Sequence, residues 1–311
     1  MVQEATKQIP VIVICGPTGS GKTALALALA EQIPLEIISA DSRQVYRRMD
    51  IGTAKATSQE QAAVSHHMID LIDPDQSFSV AEFVDRARPL IQKISARGKT
   101  PCIVGGTGLY IRALLGGLAR LPDGNPELRK QLHLREQIGG TGSLFRELQQ
   151  VDPAAAESIH PNNTIRIVRA LEVCAISGRK FSELKSEHRF AEQPYRVIKL
   201  APDFLRDELY ARINQRTEQM ISAGLVNEVK GLVEDYSFDL KALQTLGYRE
   251  VVRYLKAEIS AEQMLDDIQK YTRQYAKRQM TWFRKEEEII WVDSSMKSGK
   301  VVQSIENFLL Y

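Results

Sequence analysis

Six short apolar or β-branched runs punctuate the chain, and most of the stretches between them carry helical periodicity. The first, Val11-Ile-Val-Ile14, leads into a glycine-rich segment and then into Ala24-Leu-Ala-Leu-Ala-Leu-Ala30. Alanine and leucine are strong helix formers, so this order predicts strand, loop, helix. Leu35-Glu-Ile-Ile-Ser-Ala-Asp41 predicts a second strand that ends in a carboxylate. Met68-Ile-Asp-Leu-Ile-Asp73 predicts a third, interrupted by acids. Ser79-Val-Ala-Glu82 has the form of a capping box opening a helix to about Arg97. Thr100-Pro-Cys-Ile-Val-Gly-Gly-Thr-Gly108 then predicts a fourth strand running into a glycine turn and a helix. Strands alternating with helices give right-handed βαβ units and a parallel sheet.

The pattern changes near Leu121-Pro122-Asp123-Gly124. From there to about Pro194 only helix signals occur: Pro126 at a first helical position, Asp152-Pro153 as a helix start, and Gly178 as the stop after residues 163–177. Strand patterning returns at Arg196-Val-Ile-Lys-Leu200. Helices are predicted from Asp203 to about Ala223, from Gly247 onward, and from Ala261 to about Arg284, before a last strand at Ile289-Ile-Trp-Val-Asp293 and a short final helix. The fold class is therefore α/β: a P-loop NTPase-like parallel sheet flanked by helices, formed by residues 1–120 and 196–311, with an all-helical insertion at 121–195. Within the helix after Ala261, Met264, Ile268, Tyr271, Tyr275 and Trp282 share one stripe at ~100° per residue, which predicts a core face. Lys270, Arg273, Lys277 and Arg284 lie opposite, on a face open to solvent or to a polyanion.

Composition narrows this only a little. The 311 residues are 43% apolar and 26% charged, ordinary for a globular protein, and a net charge of +2 leaves any basic surface local. Cys15, Cys102 and Cys174 are scattered; two fall in core strands, as expected of a protein in a reducing cytoplasm. The first ten residues lack an apolar signal-peptide core, and no apolar run approaches membrane-spanning length. Neither adjacent His66-His67 nor any other histidine has metal-ligand spacing.

The chemistry begins at Gly16, Pro17, Thr18, Gly19, Ser20, Gly21, Lys22 and Thr23, a full match to G-x-x-x-x-G-K-[ST] between strand and helix. Glycines let successive backbone N–H groups turn around an anion, and the helix N-terminus adds partial positive charge. Lys22 supplies a point charge for phosphate oxygens, and the Thr23 hydroxyl can hold Mg²⁺. Asp41, at a strand end, lands on the same rim of the sheet. Its carboxylate suits either a Mg²⁺ ligand or a general base, and spacing does not separate the two. Thr107 sits at another strand end, where its hydroxyl meets ligand or caps a helix.

Together with the glycine loop, Ser39-Ala-Asp-Ser-Arg-Gln-Val-Tyr46, Met49-Asp-Ile-Gly-Thr-Ala-Lys55, Val104-Gly-Gly-Thr-Gly-Leu-Tyr110, His160-Pro-Asn-Asn163, Leu246-Gly-Tyr-Arg249 and Lys277-Arg-Gln-Met-Thr-Trp282 resemble the bacterial tRNA dimethylallyltransferases. The likeness runs in order from about residue 9 to 293. It implies transfer of a dimethylallyl group from dimethylallyl diphosphate to N6 of the adenosine just 3′ of the anticodon, by a Mg²⁺-dependent monomer. In that reading the loop and Arg216 hold diphosphate, Asp41 is the base, and Thr107 and Lys22 assist. Contacts to the tRNA anticodon stem-loop are implied at Asp41, Ser42, Arg43, Gln44, Thr107 and Arg129. They are also implied at Ile165, Arg166, Ile167, Val168 and Arg169, and at Gln244, Thr245, Leu246, Gly247, Tyr248 and Arg249. Three alternatives share the loop: a small-molecule P-loop kinase, a nucleotide-dependent RNA-binding protein, and an enzyme prenylating free adenine nucleotides.

Overall fold

The computed structural model describes residues 8–119, 121–188, 192–286, 288–293 and 298–310. They fall into two compact units, one running to Leu115 and resuming at Gln193, the other Gly116–Glu192.

The first unit is built on six parallel strands: β1 (Ile9–Cys15), β2 (Leu35–Ser39), β3 (His66–His67), β4 (Thr100–Gly105), β5 (Tyr195–Asp203) and β6 (Ile289–Asp293). Their order is β3-β2-β4-β1-β5-β6, so the strand that leads into the glycine loop is flanked on both sides. β2 and β4 are buried along their whole length and β1 from Val11 on, which is why each is a continuous apolar run without alternation. The helix Lys22–Ala30 and the last helix, Ser298–Leu310, share a core with the sheet through Ile12, Ile14, Leu29, Ile37, Cys102, Val104, Leu200 and Ile305. Burial pushes the Cys15 and Cys102 thiols up to about 12, so both behave as small apolar side chains.

Strand β3 corrects the expectation for residues 68–73. Met68 and Asp70 take left-handed backbone, at φ 65° and 53°, which an extended strand excludes. The pairing with β2 is made two residues earlier, and Ile72 keeps only an isolated bridge to Tyr46. His67 uses its ring Nε2 on the buried Glu36 carboxylate, 2.7 Å away, a structural contact that Arg97 and Lys99 reinforce.

Helix boundaries follow local chemistry. Ser79 and Glu82 form the reciprocal capping box at the head of Val80–Ala96, and Asp152 caps Pro153–Ser158 through the Ala155 N–H. Gly178 closes Thr164–Ser177 in left-handed backbone, at φ 67°. The second unit consists of helices Pro126–Gly139, Ser143–Val151, Pro153–Ser158, Thr164–Ser177 and Phe181–His188, with no strand among its described residues. It has its own core of Leu132, Leu144, Leu148, Ile159, Ile167, Val168 and Leu171. Its two ends meet where the Glu192 N–H donates to the Gly116 carbonyl at 3.1 Å.

Candidate active site

The glycine loop leaves β1 and turns at Gly16, Gly19 and Gly21, whose φ values are 141°, 81° and 78°. At Gly19 there is a second constraint: a Cβ would stand 2.8 Å from the Ile213 side chain. Ser20 Oγ and Lys22 Nζ both donate to the Pro17 carbonyl, at 2.9 and 2.7 Å, while Arg212 Nε donates to the Gly19 carbonyl at 3.1 Å. Burial, and then the neighbouring Arg216 guanidinium, depress the Lys22 ammonium to about 8. Burial likewise lowers Arg216, against the attraction of Asp41. Two cations taken out of water beside a helix N-terminus make a site that gains by receiving an anion.

A cavity of about 290 Å³ joins this loop to Asp41. Lys22, Thr23 and Arg216 contribute to its wall, as do Asp41, Ser42, Arg43 and Gln44, with Ile37, Val104, Ile213, Met220, Leu225 and Ile268 as apolar surface between polar groups. Lys22, Thr23 and Arg216 also face an open cleft of about 1050 Å³, so the loop is reached from two directions. The Asp41 carboxylate accepts the Arg43 N–H at 2.8 Å through Oδ1, leaving its other oxygen to take a proton. Thr107 stands just outside the cavity lining: its N–H donates to the Ala40 carbonyl and its Oγ1 accepts the Ser42 N–H, each at 3.2 Å. The close approach of the two strand ends excludes any side chain at Gly105, where a Cβ would lie 2.2 Å from the Ala40 carbonyl oxygen.

Several residues expected to meet RNA also make contacts within the protein. Gln44 donates to the Thr53 and Ala54 carbonyls at 3.2 Å and accepts from Ser39 Oγ at 2.8 Å, so it ties down the loop that floors the cavity. Arg129 and Arg169 both bind the fully buried Glu172 carboxylate. Ile167 and Val168 point into the helical core, whereas Ile165 and Arg166 on the same turn are exposed. Tyr248 is buried and donates to Glu228 at 2.6 Å, and Arg249 is held by Glu250. Gln244 is exposed, Leu246 is half-buried and Gly247 is buried, with left-handed φ at 90°. All three line the cavity with Thr245, whose hydroxyl is buried without a hydrogen-bond partner.

Reading the apolar stripe of the helix Ala261–Phe283 as core alone left out the cavity it helps to line. Ile268, Thr272, Tyr275 and Gln279, spaced at helical intervals, line the cavity. Burial, with the Asp41 charge adding to it, pushes the Tyr275 hydroxyl up to about 12 and keeps it protonated at neutral pH. The available signal was Thr272 and Gln279, polar residues on an otherwise apolar face. Glu228 was also missed: its carboxylate accepts the N–H groups of Asp50, Ile51 and Gly52 at 3.0, 2.8 and 3.3 Å, fixing the loop before Thr53.

Among the described residues no group of three His, Cys, Asp or Glu side chains could cage a metal. The Thr23 hydroxyl at the cavity wall could serve as one oxygen ligand of a Mg²⁺ ion, which is commonly bound by few protein ligands.

A glycine loop between a central parallel strand and a helix, opening on a cavity with a strand-end carboxylate, defines a P-loop α/β protein built to hold a phosphorylated ligand. The model of the IPP transferase family matches residues 44–286, and the chain belongs to that family. It is 49% identical over 304 residues to tRNA dimethylallyltransferase 1 of Syntrophotalea carbinolica, covering 97% of each chain. It is 47% identical to tRNA dimethylallyltransferase of Geobacter metallireducens, covering 96% of each. The crystal structure of tRNA isopentenylpyrophosphate transferase from Bacillus halodurans superposes with a TM-score of 0.71 at 40% identity, over 98% of this chain and 96% of that one. A eukaryotic dimethylallyltransferase acting on tRNA gives a TM-score of 0.82 at 28% identity, over 97% and 79%.

Proposed function

We propose that this protein transfers the dimethylallyl group of dimethylallyl diphosphate to N6 of the adenosine 3′-adjacent to the anticodon, in tRNAs that read codons starting with U. The products are N6-isopentenyladenosine and diphosphate. The observation that carries this reading is the single cavity joining Lys22, Thr23 and Arg216 to Asp41. Family membership and relatives named as tRNA dimethylallyltransferases support the same reading.

An adenine exocyclic amine is a weak nucleophile, so its proton must leave as the new bond forms. Asp41 takes that proton. The bond from N6 to C1 of the donor forms as the C1–O bond breaks, and the electron pair departs with the diphosphate. Negative charge then builds beside Lys22, Arg216 and the loop N–H groups, which stabilise it where it develops. The Thr23 hydroxyl would hold Mg²⁺, which when bound would neutralise part of that charge. Thr107 orders the Ser42 backbone beside the base. Chemistry on a base requires the adenosine to be unstacked, so the base enters the cavity flipped out of its helix. The protein acts as a monomer in the cytoplasm, where tRNA is found. Among the described residues no helix is long and apolar enough to cross a membrane.

The test is mass spectrometry of nucleosides from unmodified tRNA incubated with the protein, dimethylallyl diphosphate and Mg²⁺. A five-carbon addition to adenosine is expected without ATP and is lost on chelation. Strict dependence on ATP, or phosphate transfer to a metabolite, would favour a kinase. Tight tRNA binding with no modified nucleoside would leave an RNA-binding role, and product on free AMP alone would indicate a nucleotide prenyltransferase.

A further inference from the structure

Gln279 lies on the helix Ala261–Phe283, is 7% exposed, and uses both ends of its amide. Oε1 accepts the Thr18 N–H of the glycine loop at 2.9 Å, and Nε2 donates to the Gly106 carbonyl at 2.9 Å. The residue after Gly106 is Thr107, bonded to Ala40 and Ser42 on either side of Asp41. One side chain therefore links the segment that cradles phosphate to the segment that carries the carboxylate. We infer that Gln279 is a positioning residue that sets the distance between these two loops, and so aligns donor with acceptor. The inference rests on the proposed transfer reaction for its meaning, and on the two hydrogen bonds for its geometry.

Two further contacts make the link specific. A Cβ at Gly106 would fall 2.3 Å from Gln279 Nε2, and a Cβ at Gly108 would fall 2.1 Å from Trp282 Nε1. Gly106 and Gly108 thus make room for Gln279 and Trp282, which stand one helical turn apart. The Arg112 guanidinium lies over the Trp282 ring, 4.4 Å from its centroid. Only an amide of this length serves both partners. Glutamate would keep the acceptor and lose the donor, asparagine is one methylene short, and methionine fills the space with neither.

Displacement displayed as rate is the first readout, because transfer needs N6 and C1 aligned behind the breaking bond, and an ångström of misplacement costs about 10²-fold. For Q279M the expected result is a kcat lower by about 10²-fold, with donor and tRNA dissociation constants within about threefold of wild type. Misaligned donor is also open to water: the C1–O bond breaks, the water oxygen bonds C1, and its proton goes to solvent. Dimethylallyl alcohol should therefore rise relative to prenylated tRNA in Q279M and in the second variant, Q279E.

A readout independent of turnover is hydrogen exchange. Inorganic diphosphate should slow exchange of the backbone amides of residues 104–110 in the wild type, and should not do so in Q279M. Equal protection in both proteins, or an unchanged kcat, would overturn the inference. So would a kcat loss matched by equal losses in donor affinity and thermal midpoint, in Q279E as well as Q279M. A wild type that forms no prenylated tRNA would instead sink the proposed function, while the exchange comparison would still decide whether the loops are coupled.

Discussion

Arg129 grips Glu172 as a two-point fork, Nε on Oε1 at 2.8 Å and NH2 on Oε2 at 3.0 Å, inside the helical unit. Arg169 and the Asn125 N–H complete the shell around a carboxylate with no exposed surface. Both arginines are therefore structural before they are anything else. Burial pushes the Glu172 carboxyl up, yet the hydrogen bonds from Arg129, Arg169 and Asn125 outweigh it and hold the group below its ordinary 4.5.

For the helical unit this predicts a stability loss of about 3–5 kcal/mol in E172A, which strands two arginines, and about 1–3 kcal/mol in R129A. The folded carboxyl titrates below its unfolded value, so its contribution is complete above pH 4.5 and disappears as pH falls below it. Thermal midpoints from pH 7 to 3 should fall less steeply in E172Q than in the wild type. Loss of tRNA binding in R129A is evidence of direct contact only if the midpoint is unchanged.

Lys22 predicts a pH dependence of the opposite kind. Its folded value of about 8 lies below the ordinary 10.5, so between those values the unfolded chain binds more protons and stability rises with pH. Removing the charge in K22M should therefore raise the midpoint of the unliganded protein at pH 7. Diphosphate binding restores the proton, so affinity should weaken above pH 8, and calorimetry in buffers of different ionisation heat should record proton uptake there. K22M should lose both the uptake and donor binding.

Asp41 predicts a separation of rate from affinity. D41N and D41A should lower turnover by about 10²–10⁴-fold, the usual span for a general base. Their tRNA dissociation constants, measured by filter binding, should stay within about threefold. Equal losses in both quantities would take Asp41 out of the base role.

The Glu228 clamp predicts that a residue outside the loop decides whether the loop is usable. Y248F removes one of the four hydrogen bonds to Glu228 and should cost about 1 kcal/mol. G52A places a Cβ 2.4 Å from the Tyr248 ring and should cost about 1–3 kcal/mol by overpacking. Because Gly52, Thr53 and Ala54 line the cavity, G52A should also raise the donor KM, measured at saturating tRNA.

What the sequence made legible was local. The glycine loop, the Ser79 capping box and the Gly178 stop each depend on neighbours within a few residues, and each stands where expected. The cut ends of β2 and β4, carrying Asp41 and Thr107, were legible because a parallel sheet sends strand ends to one rim. Residues 68–73 misled because an apolar run at a sheet edge needs a partner in register, and two left-handed residues deny it one. The Arg129–Glu172 pairing was not legible because the two residues lie 43 apart along the chain, whereas Arg169 meets Glu172 three residues on, at ordinary helical spacing. Gln279 was invisible as a link because its two partners are 173 and 261 residues away.

The bond between Glu192 N–H and the Gly116 carbonyl bears on how the chain accommodates changes of length. It makes the five-helix unit a closed excursion that departs and returns at one point, between β4 and β5. Residues added or removed between Gly116 and Glu192 therefore leave the hydrogen-bond register of β4 and β5 untouched.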